Sequence, residues 1–215
     1  MTAFAANAAE SCEDLYLAEN YKKSVPICTK QANKGDYVAQ YYLALMYQGG
    51  KGVLKDYKQA VYWYKKVAEL SVAEARYNLA LLYKNGGGGT QDYKQAVYLY
   101  TKAAKQGIAV AQYNLALLHE NGHGVPQNYK QAVYWYTKAA EQGYVSAQVN
   151  LGGMYARGQG VVKDDVDAYA WWNIAAAQGD EDARKNRDLV AKKMSPVQLE
   201  KAEELSKVYF QKYVK

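Results

Sequence analysis

Proline occurs three times in this chain of 215 residues, and cysteine and histidine twice each. Scarce proline leaves long stretches free to be helical, because proline removes a backbone donor and clashes with the preceding turn. No stretch approaches the roughly 18 apolar residues that a bilayer-spanning helix needs, so membrane insertion is not expected. The formal charge is +6, and the lysines recur among glutamates and glutamines with no dense basic stripe. A nucleic-acid partner would want such a stripe or a recognisable module, so none is expected. Half of the residues are apolar, which separates the chain from disordered sequences.

What is abundant is tyrosine, 23 residues, much of it in one motif. Asp56-Tyr57-Lys58-Gln59-Ala60-Val61-Tyr62-Trp63-Tyr64 returns as Asp92 to Tyr100, as Asn128 to Tyr136 and loosely as Asp164 to Trp172, each time 36 residues on. Such a period marks an array whose units bury surface against their neighbours. Four full units begin at Ala39, Ala75, Ala111 and Ala147 and span residues 39–182. Residues 8–38 are a shortened first unit, with Asn20 to Val38 aligning on Asp56 to Glu74 without a gap and a loop five residues shorter. Residues 183–215 are expected to be C-terminal capping helices. Residues 1–7 carry small-x-small patterns without a hydrophobic core, and read either as the end of a signal peptide or as an unstructured Ala-rich start.

Each unit predicts two antiparallel helices. Ala39, Leu43, Met46 and Tyr47 hold the spacing of one buried helical face, and glycines after them (Gly49, Gly50 and Gly52; Gly122 and Gly124; Gly158 and Gly160) allow positive φ. Gly86 to Gly89 serve the same role with more freedom. The second helix starts at Asp56, Asp92, Asn128 or Asp164, which are good N-caps, with Gln59, Gln95, Gln131 or Asp167 three residues on as a variant capping box. Behind the cap, Ala60, Trp63, Tyr64, Val67 and Ala68 form a stripe that another helix must cover. Ser195, Pro196 and Gln198 announce a last helix to about Tyr213, with Leu199, Ala202, Leu205, Tyr209 and Tyr213 on one side. The fold class is therefore all-α.

A unit of the form Ala-x3-Leu-[Gly/Ala]-x2-Tyr-x2-Gly-x-Gly-Val-x2-Asp-x3-Ala-x2-Trp-x3-Ala-Ala-x2-Gly resembles the Sel1-like repeat, a relative of the tetratricopeptide repeat. The third unit carries it best, at Ala111, Leu115, Gly122, Gly124, Val125, Asn128, Ala132, Trp135, Ala139, Ala140 and Gly143. His119 replaces the usual tyrosine there, Gly89-Thr90 replaces Gly-Val in the second unit, and Ser71 stands where glycine closes the others. The resemblance implies a right-handed α/α superhelical solenoid that acts as a scaffold for a protein or peptide, in bacterial proteins often periplasmic or secreted.

Two constellations invite chemistry. His119-Glu120-Asn121-Gly122-His123 spells the H-E-x-x-H zinc signature, which works only if both histidines share one face of a continuous helix and a third ligand is near. His119 sits at the buried place of Tyr47, Tyr83 and Tyr155, His123 follows the glycine that ends the helix, and no third histidine exists; only Glu141 offers itself. Neither a metal nor any other cofactor is expected. Cys12 and Cys28 take the inward places of Leu43 and Tyr64 and so face each other across the first hairpin. They read as a disulfide, which would stabilise the fold by about 3 kcal/mol, with two buried thiols as the plain alternative.

On the first helices, positions 41, 42 and 45 lie about 200° to 300° from the buried alanine at about 100° per residue. They generate ladders of Tyr41, Tyr77 and Tyr113; Leu45, Leu81 and Leu117; and Tyr42, Asn78, Asn114 and Asn150. Asparagine both donates and accepts, and tyrosine offers rigid area with a polar tip, as peptide recognition requires. The competing use is bonding between repeats. Tyr62, Tyr98 and Tyr134, on the second helices, are expected to pack. The function read from all this is a non-catalytic, monomeric scaffold holding a protein or peptide on its concave face, in the periplasm or outside the cell, with the cytoplasm as the other compartment. A hydrolase or metal-binding protein using His119, Glu120 and His123, and a self-associating structural module, are the other classes.

Overall fold

Short oxygen-bearing side chains start most helices of the protein, whose computed structural model describes residues 11–214. The leader-like residues 1–7 lie outside that range. Among the described residues there are twelve helices and no strand: α1 (Cys12–Leu17), α2 (Tyr21–Ala32), α3 (Tyr37–Gly49), α4 (Tyr57–Glu69), α5 (Ala73–Asn85), α6 (Tyr93–Lys105), α7 (Ala109–Asn121), α8 (Tyr129–Ala140), α9 (Val145–Arg157), α10 (Asp165–Ala177), α11 (Glu181–Ala191) and α12 (Pro196–Tyr213). They fall into two units, residues 11–96 and 97–214, with the boundary inside α6.

The side chains of Asp36, Asp56, Asn128, Asp164 and Asp180 accept backbone N–H groups in the first turn of α3, α4, α8, α10 and α11. Full capping boxes close at Ser11 on α1 and at Ser195 on α12, where Gln198 returns the bond and Pro196 is the first helical residue. The expected boxes at Gln59, Gln131 and Asp167 are half-made. Gln59 and Gln131 stay in solvent, and the Asp167 carboxylate instead accepts from the Tyr209 hydroxyl of α12 at 2.7 Å.

The first helices end in left-handed glycine at Gly50, Gly86, Gly122 and Gly158, all with φ between 66° and 72°. Gly49 differs from expectation in being the last helical residue. Each loop then returns onto the helix it left: the N–H of Asp56, Asp92, Asn128 and Asp164 donates to the carbonyl of Tyr47, Tyr83, His119 and Tyr155 at 2.8–3.1 Å. The run Gly86 to Gly89 keeps this same bond and the same glycine cap.

The second loop glycine has a further duty that its conformational freedom does not explain. A Cβ on Gly52 would stand 2.8 Å from the Tyr21 carbonyl oxygen, and one on Gly160 would stand closer still to the Tyr129 carbonyl. Each loop therefore lies on the first turn of the preceding second helix, and only glycine fits.

In residues 11–96, α2 packs on α3, α3 on α4 and α4 on α5. Ala60, Trp63, Tyr64, Val67 and Ala68 are all buried, as the stripe requires, and so are Leu43 and Met46 of α3. In residues 97–214, α8 packs on α7 and α9, and α10 on α9, α11 and α12. There Tyr136, Leu115, Leu151 and Met154 are fully buried, each such side chain contributing roughly 1.5–3 kcal/mol. The contact of α12 is aromatic: Tyr209 and Tyr213 lie 4.5 and 5.5 Å from the Trp171 ring.

One packing expectation fails. Tyr62, Tyr98 and Tyr134 are 49%, 58% and 49% exposed. They lie on the outer side of their helices, where the Lys66 and Lys102 ammonium groups sit over the Tyr62 and Tyr98 rings.

Candidate partner-binding surface

Each unit carries its own part of the first-helix face. In residues 11–96, α3 and α5 place Tyr41, Tyr42, Leu45, Tyr77, Asn78 and Leu81 half-buried. Tyr41 and Tyr42 meet edge to face at 5.7 Å, and Tyr41 meets Tyr64 at 5.9 Å. The Asn78 amide donates to the Tyr41 hydroxyl at 3.2 Å, and burial pushes the Tyr41 phenol above its ordinary range. Tyr42 donates to Glu13 at 2.7 Å. Its phenol is pushed up to about 12, first by burial and then by that carboxylate, so it stays a donor at any physiological pH.

In residues 97–214, Tyr113 and Leu117 are half-buried on α7, and the Tyr113 ring meets those of Tyr136 and Tyr144 at a tilt, 5.8 and 5.1 Å away. Asn114 departs from its neighbours. It is only 7% exposed, and its amide donates back to the Val110 carbonyl one turn earlier at 2.8 Å. Asn150 donates to the Tyr136 hydroxyl at 3.0 Å. The leucine column ends at Gly153, which is buried with the Arg157 guanidinium over the place a side chain would take.

The asparagine amides at 78, 114 and 150 thus each bond inside their own unit. Tyrosine and leucine remain as the exposed chemistry of this face.

Sequence reasoning missed the strongest polar column. Gln40, Gln112 and Gln148 are buried, and each amide donates to a carbonyl near the end of the preceding second helix: Ala32 at 3.1 Å, Ala104 at 3.1 Å and Ala140 at 3.2 Å. Arg76 does the same to Ala68 at 3.1 Å. Gln142 and Gln178 then donate to the Gln112 and Gln148 side-chain oxygens at 2.7 and 2.8 Å. Carbonyls in the last turn of a helix have no partner within it, and this column supplies one. The signal was available as a polar residue immediately after each unit's first alanine.

At the first hairpin, Cys12 and Cys28 are bonded across α1 and α2, with Cα atoms 4.8 Å apart. Ser24, fully buried, lies 3.2 Å from the Cys12 carbonyl and 3.1 Å from the Cys28 sulfur.

The zinc-like motif has a different geometry from the one its chemistry needs. α7 ends at Asn121 and Gly122 turns left-handed, so His123 is off the helix and exposed. His119 is half-buried, its Nδ1 has no bonding partner, and burial holds its pKa below the usual range. Glu120 accepts from Tyr136 at 2.6 Å and pairs with Arg157 at 3.6 Å. The two imidazoles share no helical face, and the carboxylate is engaged in holding α7 to α8 and α9.

The Sel1 repeat matches four times, over residues 38–72, 73–108, 109–144 and 145–180. A protective antigen of uropathogenic Escherichia coli, which displays an SLR fold, is 36% identical with a TM-score of 0.83 over 95% of this chain, and this chain spans 46% of that protein. A Sel1 repeat protein from Oxalobacter formigenes is 30% identical, with a TM-score of 0.78, over 94% of this chain and 84% of its own. An immunity protein of Pseudomonas aeruginosa, 23% identical with a TM-score of 0.50 over 94% and 80%, shares the fold. No curated protein gives a match. Four matched repeats in register, covering most of the chain, place this protein in the Sel1 repeat family.

Proposed function

We propose that this protein is a non-catalytic scaffold that binds a protein or peptide partner on the exposed side of its first helices. Sel1 repeats generally mediate protein–protein interaction, and the observation that carries the reading here is the tyrosine and leucine pair that recurs, half-buried, on successive first helices. The second helices bury their apolar stripe, as at Trp63, Tyr64 and Val67. The first helices keep Tyr41, Leu45, Tyr77, Leu81, Tyr113 and Leu117 partly open to solvent after the hairpins have packed. Rigid tyrosines beside leucines suit recognition of an extended or helical segment, since they offer area at low entropic cost.

A periplasmic or secreted setting goes with this reading. The Cys12–Cys28 bond calls for an oxidising compartment, and the similar E. coli protein is a protective antigen. No helix among the described residues is long and apolar enough to cross a membrane.

Selection of random 12-residue peptides on the immobilised full chain tests the proposal. Selected peptides are expected to lose at least tenfold in affinity to the Leu45→Gln and Leu117→Gln variants, with circular dichroism and melting unchanged. Peptides whose binding ignores both substitutions, or a chain that selects none, would overturn it. Blocking of thiols in intact cells tests the compartment: Cys12 and Cys28 should be unreactive until a reductant is added.

A further inference from the structure

Residues 11–96 hold a cavity of about 220 Å³ between α1, α3, α4 and α5. It lies below the roughly 300–1,000 Å³ of a pocket for a drug-sized ligand, so it suits one side chain of a larger partner. Tyr41 walls it, and Tyr37, half exposed, stands at its edge. Val67 and Val72 supply an apolar floor for a hydrocarbon stem. Its charged residues are Glu13 and Glu74, both negative, in a chain whose net charge is +6.

Glu13 is not a wandering surface carboxylate. The Tyr42 hydroxyl donates to it at 2.7 Å, bridging α1 to α3. Glu13 also follows Cys12 directly, so the disulfide fixes the backbone that carries it. The tyrosine cluster beside it already attracts an ammonium group: Lys51 Nζ lies 5.1 and 5.0 Å from the Tyr16 and Tyr21 rings, and the Tyr16 ring meets that of Tyr42 at a tilt, 4.8 Å away. Electron-rich ring faces and carboxylates both favour a cation, and an anion would meet repulsion from each.

The composition is particular to this place. One repeat on, Tyr37, Tyr42 and Glu74 become Ala73, Asn78 and Val110; two repeats on they become Ala109, Asn114 and Ser146. The repeat pattern therefore does not require these residues.

We infer that this cavity receives a lysine or arginine side chain of the protein partner, with its stem on Val67 and Val72 and its charge between Glu13 and Glu74. The inference rests on the scaffold reading above and names the chemistry of one contact. It also gives the first hairpin a role beyond closing the array, since α1 brings one of the two carboxylates.

The test is an NMR titration of the full chain with N-acetyl-Leu-Lys-Leu-amide, and with the same peptide carrying norleucine in place of lysine. The lysine peptide is expected to shift the amides of Val38, Tyr41, Val72 and Glu74 saturably. Norleucine, and separately the Glu13→Gln with Glu74→Gln variant, should each weaken binding about tenfold, and added salt should weaken only the lysine peptide. Equal binding of the norleucine peptide, full binding to the double variant, or shifts confined to other helices would overturn the inference. Failure of the two readings is separable. Library peptides that bind at Leu45 and Leu117 without a basic residue, and equally to the double variant, would retain the scaffold and remove the basic contact. A lysine peptide that titrates as expected on a chain that selects no library peptide would do the reverse.

Discussion

The first hairpin and the third full repeat close the same gap in different ways. In α7 and α8 the inward places hold Leu115 and Tyr136, both fully buried, and the tyrosine hydroxyl reaches Glu120 at 2.6 Å. In α1 and α2 the corresponding places hold Cys12 and Cys28 and a covalent bond, with Ser24 beside it where Ala132 stands in the repeat. The difference follows from size. α1 has six residues against thirteen in α7, too short to be stable by itself. A cross-link supplies what apolar area cannot, as it does in small extracytoplasmic domains. The comparison teaches that the array has a covalent end and a middle held by packing and side-chain bonds to helix ends.

The largest effect should come from the covalent end. Cys12→Ala with Cys28→Ala is expected to cost about 3 kcal/mol in denaturant unfolding and to weaken binding of the lysine peptide; a loss under 1 kcal/mol would remove the contrast between end and middle. In the middle, Gln148→Ala removes a buried amide from the Ala140 carbonyl and from Gln178, and should cost about 2 kcal/mol in the same measurement.

A smaller change sharpens the comparison in the opposite sense. The first hairpin closes with Gly35 at φ 93°, and the next places Ser71 at φ 68°, where a side chain is strained. Ser71→Gly should raise stability by about 0.5 kcal/mol, the gain being reduced by the lost bond from Arg76 at 2.8 Å. An unfolding midpoint that falls instead would show that bond to be the stronger term.

The smallest effect is one of pH. Burial lowers the His119 pKa from 6.5, so the unfolded chain takes up a proton first and this contribution to stability is lost as pH falls below about 6.5. His119→Tyr restores the residue of the other repeats and should flatten the decline between pH 7.5 and 5.5. Equal slopes for the two proteins would contradict the assignment.

Local rules made much of this fold legible in advance. Period 36, the caps at Asp56 and Asn128, the left-handed glycines at Gly50, Gly122 and Gly158 and the start of α12 at Pro196 each depend on a few neighbouring residues, and each stands where expected. What escaped depends on contacts between hairpins. Gln40 and Gln148 look like surface residues until the preceding helix end is beside them, and Gly52 looks like a flexible joint until the Tyr21 carbonyl is found 2.8 Å from its missing Cβ. The face proposed for a partner was half legible for the same reason. Helical periodicity put Tyr41, Leu81 and Leu117 on one side, but could not tell that Asn114 bonds its own helix and is buried. Nor could it show that Glu13 and Glu74 line one cavity, since they come from α1 and α5.

Hydrogen–deuterium exchange of the full chain, free and saturated with a selected peptide, tests the central claim most directly. The account predicts added protection in the first helices, α3, α5, α7 and α9, with little change in α4, α6 and α8. Protection confined to the second helices and their exposed Tyr62, Tyr98 and Tyr134 would contradict it.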